Sequence, residues 1–532
     1  IVNEATNTFN ATWKKLKNEF EESFRNLLNK ISWPKPTTSI ADIDLLDQFT
    51  MSFNALLSLQ IERDPDSILL PFSVLAEAID LRFKYHFESK KETNRPDKPE
   101  WVFQHFIKVV DEHTPFLSKV VQPVLRNGDI FNDRSAVKEF ITAVLPSVRR
   151  KIFGLFPRVA EMSTPFLSHL VFEVCSFDKV VSEKYMYTQY GSSKWIGLSG
   201  LLFEDKQRFE TWLNGEKEIA FGRYQQIIDS PKAFDIEYEG VDSNETKPTN
   251  SAINIKFLLE NLTTHYASLE SVTQRLRYLM DIQITILDKY YIRLNEGLEV
   301  IESMGSTLSR AVGGISSEDS KKAQGLGGLE RLCRIYGSAN FIEESLRTWG
   351  EDLFFFALWD EMSELLRQAG SVGNLGQDIL DSASSSSTTL PSNGHGDRLS
   401  EDANGNDTLF DETASSYGKL EQRAISQIRI LIKKEIQSSM KDYFRANNWP
   451  QEISDEGGQF DIIEPSRELQ KPIKVIAPLI KFLNQFLSIT QYHQILRLIS
   501  SDVEMYVWTF IIKANKFSQF GGRQLLKDIQ EI

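Results

Sequence analysis

Apolar side chains recur every three or four residues along most of this 532-residue chain. The clearest case is Thr249–Glu296, which contains no glycine or proline and repeats apolar residues with the spacing of one helix face. At 1.5 Å per residue, an unbroken helix of this length would span roughly 72 Å. Because the stripe is not a strict heptad repeat, we expect a long helix near residues 250–300 that packs in a multi-helix bundle.

The same periodicity predicts nine further helical segments. They are Thr12–Ile31, Ile40–Ile61, Pro99–Glu112, Phe131–Phe156, Pro165–Phe177, Leu329–Leu366, Tyr417–Asn447, Arg467–Ser488 and Tyr492–Ala514. Asp97 is a candidate cap for the helix that starts with Pro99. Asp235–Val241 alternates briefly and fits either a short strand or a loop. No proline lies between Pro248 and Pro391, and proline breaks helices and central strands alike. The pattern therefore predicts an all-α fold.

Two polar stretches interrupt the helical pattern. Gly305–Gly328 contains six glycines, and residues 382–389 read SASSSSTT. Because such a composition cannot bury enough apolar surface to become ordered, we expect residues 382–407 to form a disordered loop. We expect five parts along the chain: the tail of an N-terminal helical or coiled-coil region (1–40), a helical bundle (41–160), a bundle with the long helix (161–310), a bundle containing the Ser-rich loop (311–450) and a C-terminal bundle (451–532).

Composition narrows the classes of function. The 74 acidic and 60 basic residues give a net charge of −14, which disfavours nucleic acid or an anionic membrane as the main ligand. Two cysteines exclude a disulfide framework and favour a reduced, intracellular chain. No run of about 18 apolar residues is present, so we predict no transmembrane segment. Since the chain starts at Ile1 and stops inside a helical pattern, we expect it to be a fragment of a longer protein that lacks both ends.

No combination of residues typical of an enzyme is found. The sequence lacks the GxxxxGK[ST], HExxH and GxSxG motifs, and no two of its seven histidines stand four residues apart. The GLGG run at residues 325–328 has no preceding strand, which favours a flexible helix connector over a phosphate loop. Cys175 and Cys333 lie in apolar runs typical of small core residues. We therefore predict no catalytic residue, no cofactor and no metal.

One basic run is a candidate contact site. Arg149, Arg150 and Lys151 precede the apolar residues Phe153 and Phe156, which suits contact with lipid headgroups or with an acidic partner. A solvated helix face is the alternative interpretation.

Six blocks of sequence carry a resemblance to a known family. They are KPEW at Lys98–Trp101, HTPFLSKVVQPVL at His113–Leu125, HLVFEVCSFD at His169–Asp178, WLNGEKEIAFGRY from Trp212, LRYLMDIQITILDKYYIRL at Leu276–Leu294 and FSQFGGRQLLKDI at Phe517–Ile529. In this order, over about residues 95–532, the chain resembles the RINT/TIP family of vesicle-tethering subunits, most closely the Tip subunits of Dsl-type complexes in filamentous fungi.

The resemblance singles out signature residues for which we expect structural roles. These are Pro99, Glu100, Trp101, His113, Pro115, Phe116, Phe177, Asp178, Trp212, Asp281, Phe517, Gly521 and Gly522. We expect Trp101, Trp212 and Trp508 to be core anchors between helices, and Phe517–Gly522 to be a corner between two helices.

The resemblance also implies a function. Family members are elongated rods of consecutive helical bundles of the CATCHR type, without enzymatic activity. They act on the cytosolic face of the endoplasmic reticulum, capture Golgi-derived COPI vesicles and assist SNARE assembly in retrograde transport. The implied partners are tether subunits of the Dsl/ZW and Sec types and the SNAREs of the endoplasmic reticulum, through which the protein would associate peripherally with the membrane. The alternatives are a helical enzyme with an unrecognised site and a peripheral lipid-binding module.

Overall fold

The computed structural model describes residues 2–61, 67–127, 131–190, 193–242, 244–305, 324–370, 408–445, 449 and 464–531. The predicted all-α fold is confirmed. The first helices are α1 (Val2–Lys30), α2 (Ile43–Ile61), α3 (Leu70–Phe87), α4 (Glu100–Phe116), α5 (Gln122–Arg126), α6 (Ala136–Met162), α7 (Thr164–Tyr185) and α8 (Gly197–Phe203). The next are α9 (Lys206–Ile228), α10 (Asn250–Tyr266), α11 (Val272–Tyr278), α12 (Thr285–Gly305), α13 (Gly325–Gly350) and α14 (Leu353–Gly370). The last are α15 (Asp411–Ser439), α16 (Lys441–Phe444), α17 (Gln470–Phe486), α18 (Ile489–Val507) and α19 (Gln519–Glu531).

Short elements of other types complete the described part of the chain. Strands β1 (Gln189–Tyr190) and β2 (Ser193–Lys194) form a small antiparallel hairpin, with Gln189 opposite Lys194. Three π-helical turns extend or join α-helices, and a 3₁₀ turn precedes α17. These segments are Leu117–Val121, Leu279–Ile284, Trp508–Ile512 and Arg467–Leu469. The segment Asp235–Val241 is a loop in which Ile236 pairs with Thr249 in an isolated bridge.

The predicted long helix near residues 250–300 is divided, so the prediction of one helix is wrong there. The chain leaves the helical conformation between Tyr266 and Val272. Ser271 then accepts a hydrogen bond from the backbone N–H of Gln274 at 3.4 Å. A serine three residues before a glutamine is the spacing of a capping box, which starts a new helix. A local signal for the break was therefore present within the apolar stripe.

Two further local predictions are corrected. Leu329–Leu366 is divided between α13 and α14, where Asp352 accepts the backbone N–H of Phe354 at 2.9 Å. Asp97 does not cap α4; Pro99 is the residue at the cap position, and no side chain caps it. Asp97 instead pairs with Arg95 at 2.5 Å.

The structure also contains α3, which the periodicity does not predict. Half of its side chains are buried, and in its first two turns the buried residues lie on several sides of the helix: Leu70, Pro71, Phe72, Val74, Leu75 and Ala76. A helix that is apolar around much of its circumference lacks the one-sided stripe by which amphipathic helices are recognised. Burial on several sides therefore hides α3 from a search based on spacing.

The chain folds into two compact units. Unit 1 comprises Ile1–Ile219 and Thr264–Arg275, and unit 2 comprises Ala220–Thr263 and Leu276–Ile532. The division into five parts stays a prediction, and its Ser-rich loop at 382–407 lies outside the described residues.

Unit 1 has an aromatic core. Phe24 packs against Phe49 and Phe53, with ring centroids 5.4 Å and 6.0 Å apart. The ring centroids of buried Trp33 and Phe116 lie 5.6 Å apart. Trp33 also donates its indole N–H to the carbonyl oxygen of Leu75. Such rings bury a large apolar area, so they anchor the packing of the first helices.

Unit 2 is built around α13 and α15, which pack along each other. Buried Tyr417 of α15 donates its hydroxyl proton to the carbonyl oxygen of Leu287 at 2.7 Å. The hydroxyl of buried Tyr290 lies 2.8 Å from that of Ser251. The hydroxyl groups of these two tyrosines are thus paired inside the core, as burial demands.

Candidate functional site

The KPEW block forms the start of α4 in unit 1. Pro99 is buried, whereas Glu100 and Trp101 are half-buried. Glu100 Oε2 lies 3.2 Å from Nε2 of His169, which ties α4 to α7. The Arg95 guanidinium lies 5.9 Å from the Trp101 ring centroid. Trp101 is therefore not the fully buried core anchor that the sequence predicts. The block fixes the entry into α4 by packing and by surface polar contacts.

The second block places a histidine inside the core of unit 1. His113 is 2% exposed, and its ring lies 4.7 Å from that of Trp33. Its Nδ1 lies 2.7 Å from the carbonyl oxygen of Val109 and its Nε2 lies 3.2 Å from that of Pro34. With both ring nitrogens so occupied, His113 connects α4 to the chain after α1 and leaves no atom for a ligand.

Two more residues of this block serve the same core. Pro115 lies inside α4, just before its π-helical extension, and Phe116 is fully buried. Proline cannot donate the backbone N–H of a regular helical turn, which suits its position beside an irregular turn.

Phe177 and Asp178 lie in α7 and bind different neighbours. Phe177 stacks on Phe103 with ring centroids 4.8 Å apart. Buried Asp178 accepts the backbone N–H groups of Leu198 and Ser199 at 2.7 Å and 2.8 Å. Burial raises the pKa of Asp178 to about 6, while the hydrogen bonds from Ser199 and Leu198 act to lower it.

Asp178 thus caps the first turn of α8. Gly197 has a φ of +77°, and a Cβ there would lie 2.5 Å from Asp178 Oδ2. Only glycine lets the carboxylate approach this turn, because it tolerates positive φ and has no side chain in the way. Asp178, for which the sequence predicts a structural role, therefore joins α7 to α8.

A cavity of about 600 Å³ opens beside this cap and is lined in part by Cys175. Burial raises the pKa of the Cys175 thiol to about 12, and the charge of Asp178 adds to this effect. A nucleophilic cysteine requires a lowered pKa. Cys175 and Cys333 are both buried and free, as the sequence predicts for small core residues.

The Trp212 block contains a buried polar chain within unit 1. Trp212 is 1% exposed and donates its indole N–H to Glu216 at 3.1 Å. The second oxygen of Glu216 lies 2.9 Å from Nδ1 of His265. Trp212 is therefore a core anchor, as predicted. The sequence does not predict the contact between Glu216 and His265, because the two residues are far apart along the chain.

The signature residues of unit 2 have different environments. Asp281 is largely buried and faces Arg277 at 3.7 Å. Half-buried Phe517 lies 5.6 Å from the Trp449 ring. Gly521 and Gly522 lie inside α19, so Phe517–Gly522 is not the predicted corner between helices. The chain turns before α19, between residues 513 and 518.

Trp508 is not the predicted core anchor, because it is 52% exposed. It starts a π-helical turn after α18, and the Lys513 ammonium lies 5.8 Å from its ring centroid. Its neighbours Tyr506, Val507 and Ile511 are buried, so the side of the helix that faces the core here carries these residues and not Trp508.

The basic run on α6 does not act as one charged patch. Arg150 binds Asp80 at 2.6 Å and Glu88 at 2.9 Å. Lys151 donates to Asn94, and burial lowers the pKa of its ammonium group. Arg149 is exposed and makes no ion pair within the part of the chain that the structure describes. Contact with lipid or with a partner stays a prediction, and Arg149 is the member of the run best placed for it.

The described residues contain neither a metal-binding cluster nor a membrane-spanning helix. Among the described residues, no group of three or more His, Cys, Asp or Glu side chains is arranged to hold a metal ion. Within the same ranges, no helix combines the length and the apolarity needed to cross a membrane.

Known proteins resemble this chain in sequence and in fold. Protein transport protein tip20 of Schizosaccharomyces pombe is 24% identical over 342 residues, which are 64% of this chain and 46% of the relative. The RINT1-like protein of Drosophila melanogaster is 20% identical over 449 residues, which are 84% of this chain and 52% of the relative. The chain thus spans about half the length of these relatives.

A solved structure shows the same fold. It is the Dsl1 complex subunit Tip20 with the SNARE Sec20 bound, and it matches with a TM-score of 0.66 at 17% identity. The match covers 98% of this chain and 77% of that chain. The model of the RINT-1/TIP-1 family matches residues 70–532. Because this match covers most of the sequence, the chain belongs to the RINT-1/TIP-1 family.

Proposed function

We propose that this chain is a non-enzymatic tether subunit on the cytosolic face of the endoplasmic reticulum. In this role it helps to capture Golgi-derived COPI vesicles and assists the assembly of SNAREs in retrograde transport. One observation carries the proposal: nearly the whole chain shares the fold of a Tip20 chain that was solved with the SNARE Sec20 bound. Membership of the RINT-1/TIP-1 family supports it.

The mechanism we propose is geometric. Helical bundles with well-packed cores present surface contacts at fixed positions. A SNARE and tether subunits of the Dsl/ZW and Sec types that bind one scaffold meet at a high effective concentration. Several weak contacts then act together without any chemical step.

Direct binding tests this function. The purified chain is mixed with the soluble N-terminal domain of each endoplasmic reticulum SNARE in turn, and co-elution is followed by size-exclusion chromatography. We expect one of these domains to co-elute with the chain. The N-terminal domain of a plasma-membrane SNARE serves as the control and should elute separately.

Absence of binding needs a second measurement, because the chain spans about half the length of its curated relatives. The same mixtures are therefore repeated with the full-length protein. If the chain is folded and helical by circular dichroism and neither form binds any of these SNARE domains, the proposed function is wrong.

A further inference from the structure

An apolar pocket of about 460 Å³ lies in unit 1 next to the basic run of α6. Its apolar lining includes Ile68, Leu145, Phe153, Trp195, Leu198 and Leu201. The two hydroxyl groups in the lining, of Thr142 and Tyr187, lie 2.7 Å apart and satisfy each other. The pocket therefore presents mainly hydrocarbon and aromatic surface, and its volume is within the range of ligand sites in proteins.

The pocket is open to solvent at the side of α6. Leu145, Arg149 and Phe153 are spaced by four residues, so they lie along one face of this helix. Phe153 is half-buried, and next to it a side chain added at Gly154 would meet no atom within 4 Å. A ligand can therefore reach Phe153 without displacing the helix.

Two arginines converge on the Phe153 ring. The guanidinium carbons of Arg149 and Arg208 lie 5.2 Å and 4.8 Å from its centroid. Both are within cation–π distance. The two positive charges are consequently no more than about 10 Å apart, which is close to the Debye length at 0.1 M salt. An anion that binds close to both would reduce their mutual repulsion.

The carboxylates near Arg149 and Arg208 neutralise these two positive charges only in part. Asp80 and Glu88 bind Arg150, the next residue along the chain. Arg208 faces Asp205 at 3.4 Å, where both side chains remain partly exposed. Arg149 has no carboxylate partner among the described residues. The rim of the pocket is thus locally positive on a chain whose net charge is −14.

A protein segment fits this surface better than a membrane does. Recognition of anionic lipid headgroups uses clusters of about 4–8 basic residues. Here Arg150, which lines the pocket, and Lys151 are occupied by intramolecular partners. The charges left to offer are those of Arg149 in the lining and of Arg208 beside the Phe153 ring. The residues that dominate protein–protein binding are instead often aromatic and arginine side chains at a pocket, as they are here.

We propose that this pocket, called here the Phe153 pocket, binds a short segment of a partner protein. That segment places one large apolar side chain in the pocket and a neighbouring aspartate or glutamate close to Arg149 and Arg208. The proposal rests on the geometry of the pocket and does not depend on SNARE binding.

Selection from a random peptide library tests it. A phage-displayed library of 16-residue peptides is panned against the purified chain, and the selected peptides are synthesised with a fluorescein label. We expect the selected peptides to share an acidic residue beside Leu, Phe or Trp. Binding is then measured by fluorescence anisotropy at low and high salt.

Variants locate the binding site. Arg149→Glu combined with Arg208→Glu should weaken binding at least about tenfold and reduce its salt dependence, because charges at a rim act on association. Phe153→Ala should weaken binding while the salt dependence remains. Arg158→Glu is the matched control, since Arg158 is exposed on α6 but does not line the pocket. Circular dichroism must show an unchanged helical content for each variant.

Three results would overturn the proposal. The panning yields no peptide that discriminates the chain from the double variant, or the selected peptides bind all variants equally well. The third is that the peptides fail while vesicles containing phosphatidylserine bind in a manner that depends on Arg149 and Arg208, which would identify the site as a lipid contact.

Discussion

Two adjacent glycines at the start of α19 have opposite environments. A Cβ added to Gly521 would lie 2.0 Å from the carbonyl oxygen of Trp449, whereas one added to Gly522 would meet nothing within 4 Å. Trp449 is itself 2% exposed and packs against Phe517. Gly521 is thus required for the close approach of two backbones, and Gly522 is not.

Alanine at these positions should change stability in opposite directions. Gly521→Ala forces backbone to move and is expected to cost about 1–3 kcal/mol, as overpacking does. Gly522→Ala should be neutral or stabilising by up to about 1 kcal/mol, because alanine favours helix over glycine. The midpoint of urea unfolding, followed by circular dichroism, measures both. Equal effects of the two changes would contradict this account of Gly521.

Asp178 makes stability depend on pH at a single residue. Burial raises its pKa to about 6 from the ordinary value of 3.8. Between these values the folded chain keeps a proton that the unfolded chain has lost. The contribution of this carboxyl group to the free energy of unfolding is therefore largest below pH 4, falls as the pH rises to 6, and is constant above that.

Comparison with Asp178→Asn isolates this contribution. Wild type should gain about 1 kcal/mol of unfolding free energy relative to the variant when the pH is lowered from 7.5 to 5. Other groups titrate in both proteins, so their contributions cancel in the difference. Urea unfolding at the two pH values measures it. A difference that stays constant, or shrinks at pH 5, would show that the pKa is not raised.

At the scale of elements, one carboxylate secures α19. Asp528 is fully buried and accepts hydrogen bonds from the Tyr443 hydroxyl at 3.0 Å, and from the backbone N–H and hydroxyl of Ser466 at 2.8 Å and 2.6 Å. Burial and the Asp528 charge together raise the pKa of Tyr443, so this phenol remains a donor. A buried carboxylate is tolerated when several donors hydrogen-bond to it. Its removal leaves those buried donors without an acceptor, which costs free energy of folding.

Removal of this carboxylate should loosen α19. In Asp528→Ala, the N–H of Ser466 and the hydroxyl of Tyr443 lose their acceptor. We expect amide hydrogen exchange within Gln519–Glu531 to speed up at least about tenfold. Lys527→Ala is the control, because Lys527 is partly exposed and its ion pair with Glu531 spans 3.9 Å. Unchanged exchange in Asp528→Ala would mean that apolar packing alone holds this helix.

At the scale of the whole molecule, each compact unit has its own core. Trp212 is buried in unit 1 against Phe203, with ring centroids 5.2 Å apart, while Gly521 belongs to unit 2. Unfolding of a chain with separate cores is not expected to follow one two-state transition.

Calorimetry should therefore show two transitions that respond to different substitutions. Trp212→Ala should remove about 3–5 kcal/mol from unit 1 and lower one transition temperature. Gly521→Ala should lower the other. If both variants shift a single transition by comparable amounts, the two units unfold together.

The sequence by itself determined the helical character of this chain and its family. Apolar spacing of three or four residues and the proline-free stretch before Pro391 indicate the helices. Ordered blocks such as KPEW indicate the family. Even the break at Ser271 had a local signal in the capping spacing. These properties could be predicted because each depends on residues close together in the chain.

Only the tertiary structure decided which of these residues are buried and what they bind. Trp212 is in a core while Trp508 is half exposed, although the sequence predicts both as core anchors. Arg150 is bound to Asp80 while Arg149 remains available, although the two arginines are neighbours. The physical reason is that burial and charge pairing depend on groups that are distant in sequence, and on helix rotations that a π turn can change. The Phe153 pocket is formed in the same way, because one face of α6 meets Ile68, Trp195 and Leu201, which are distant from it in the sequence.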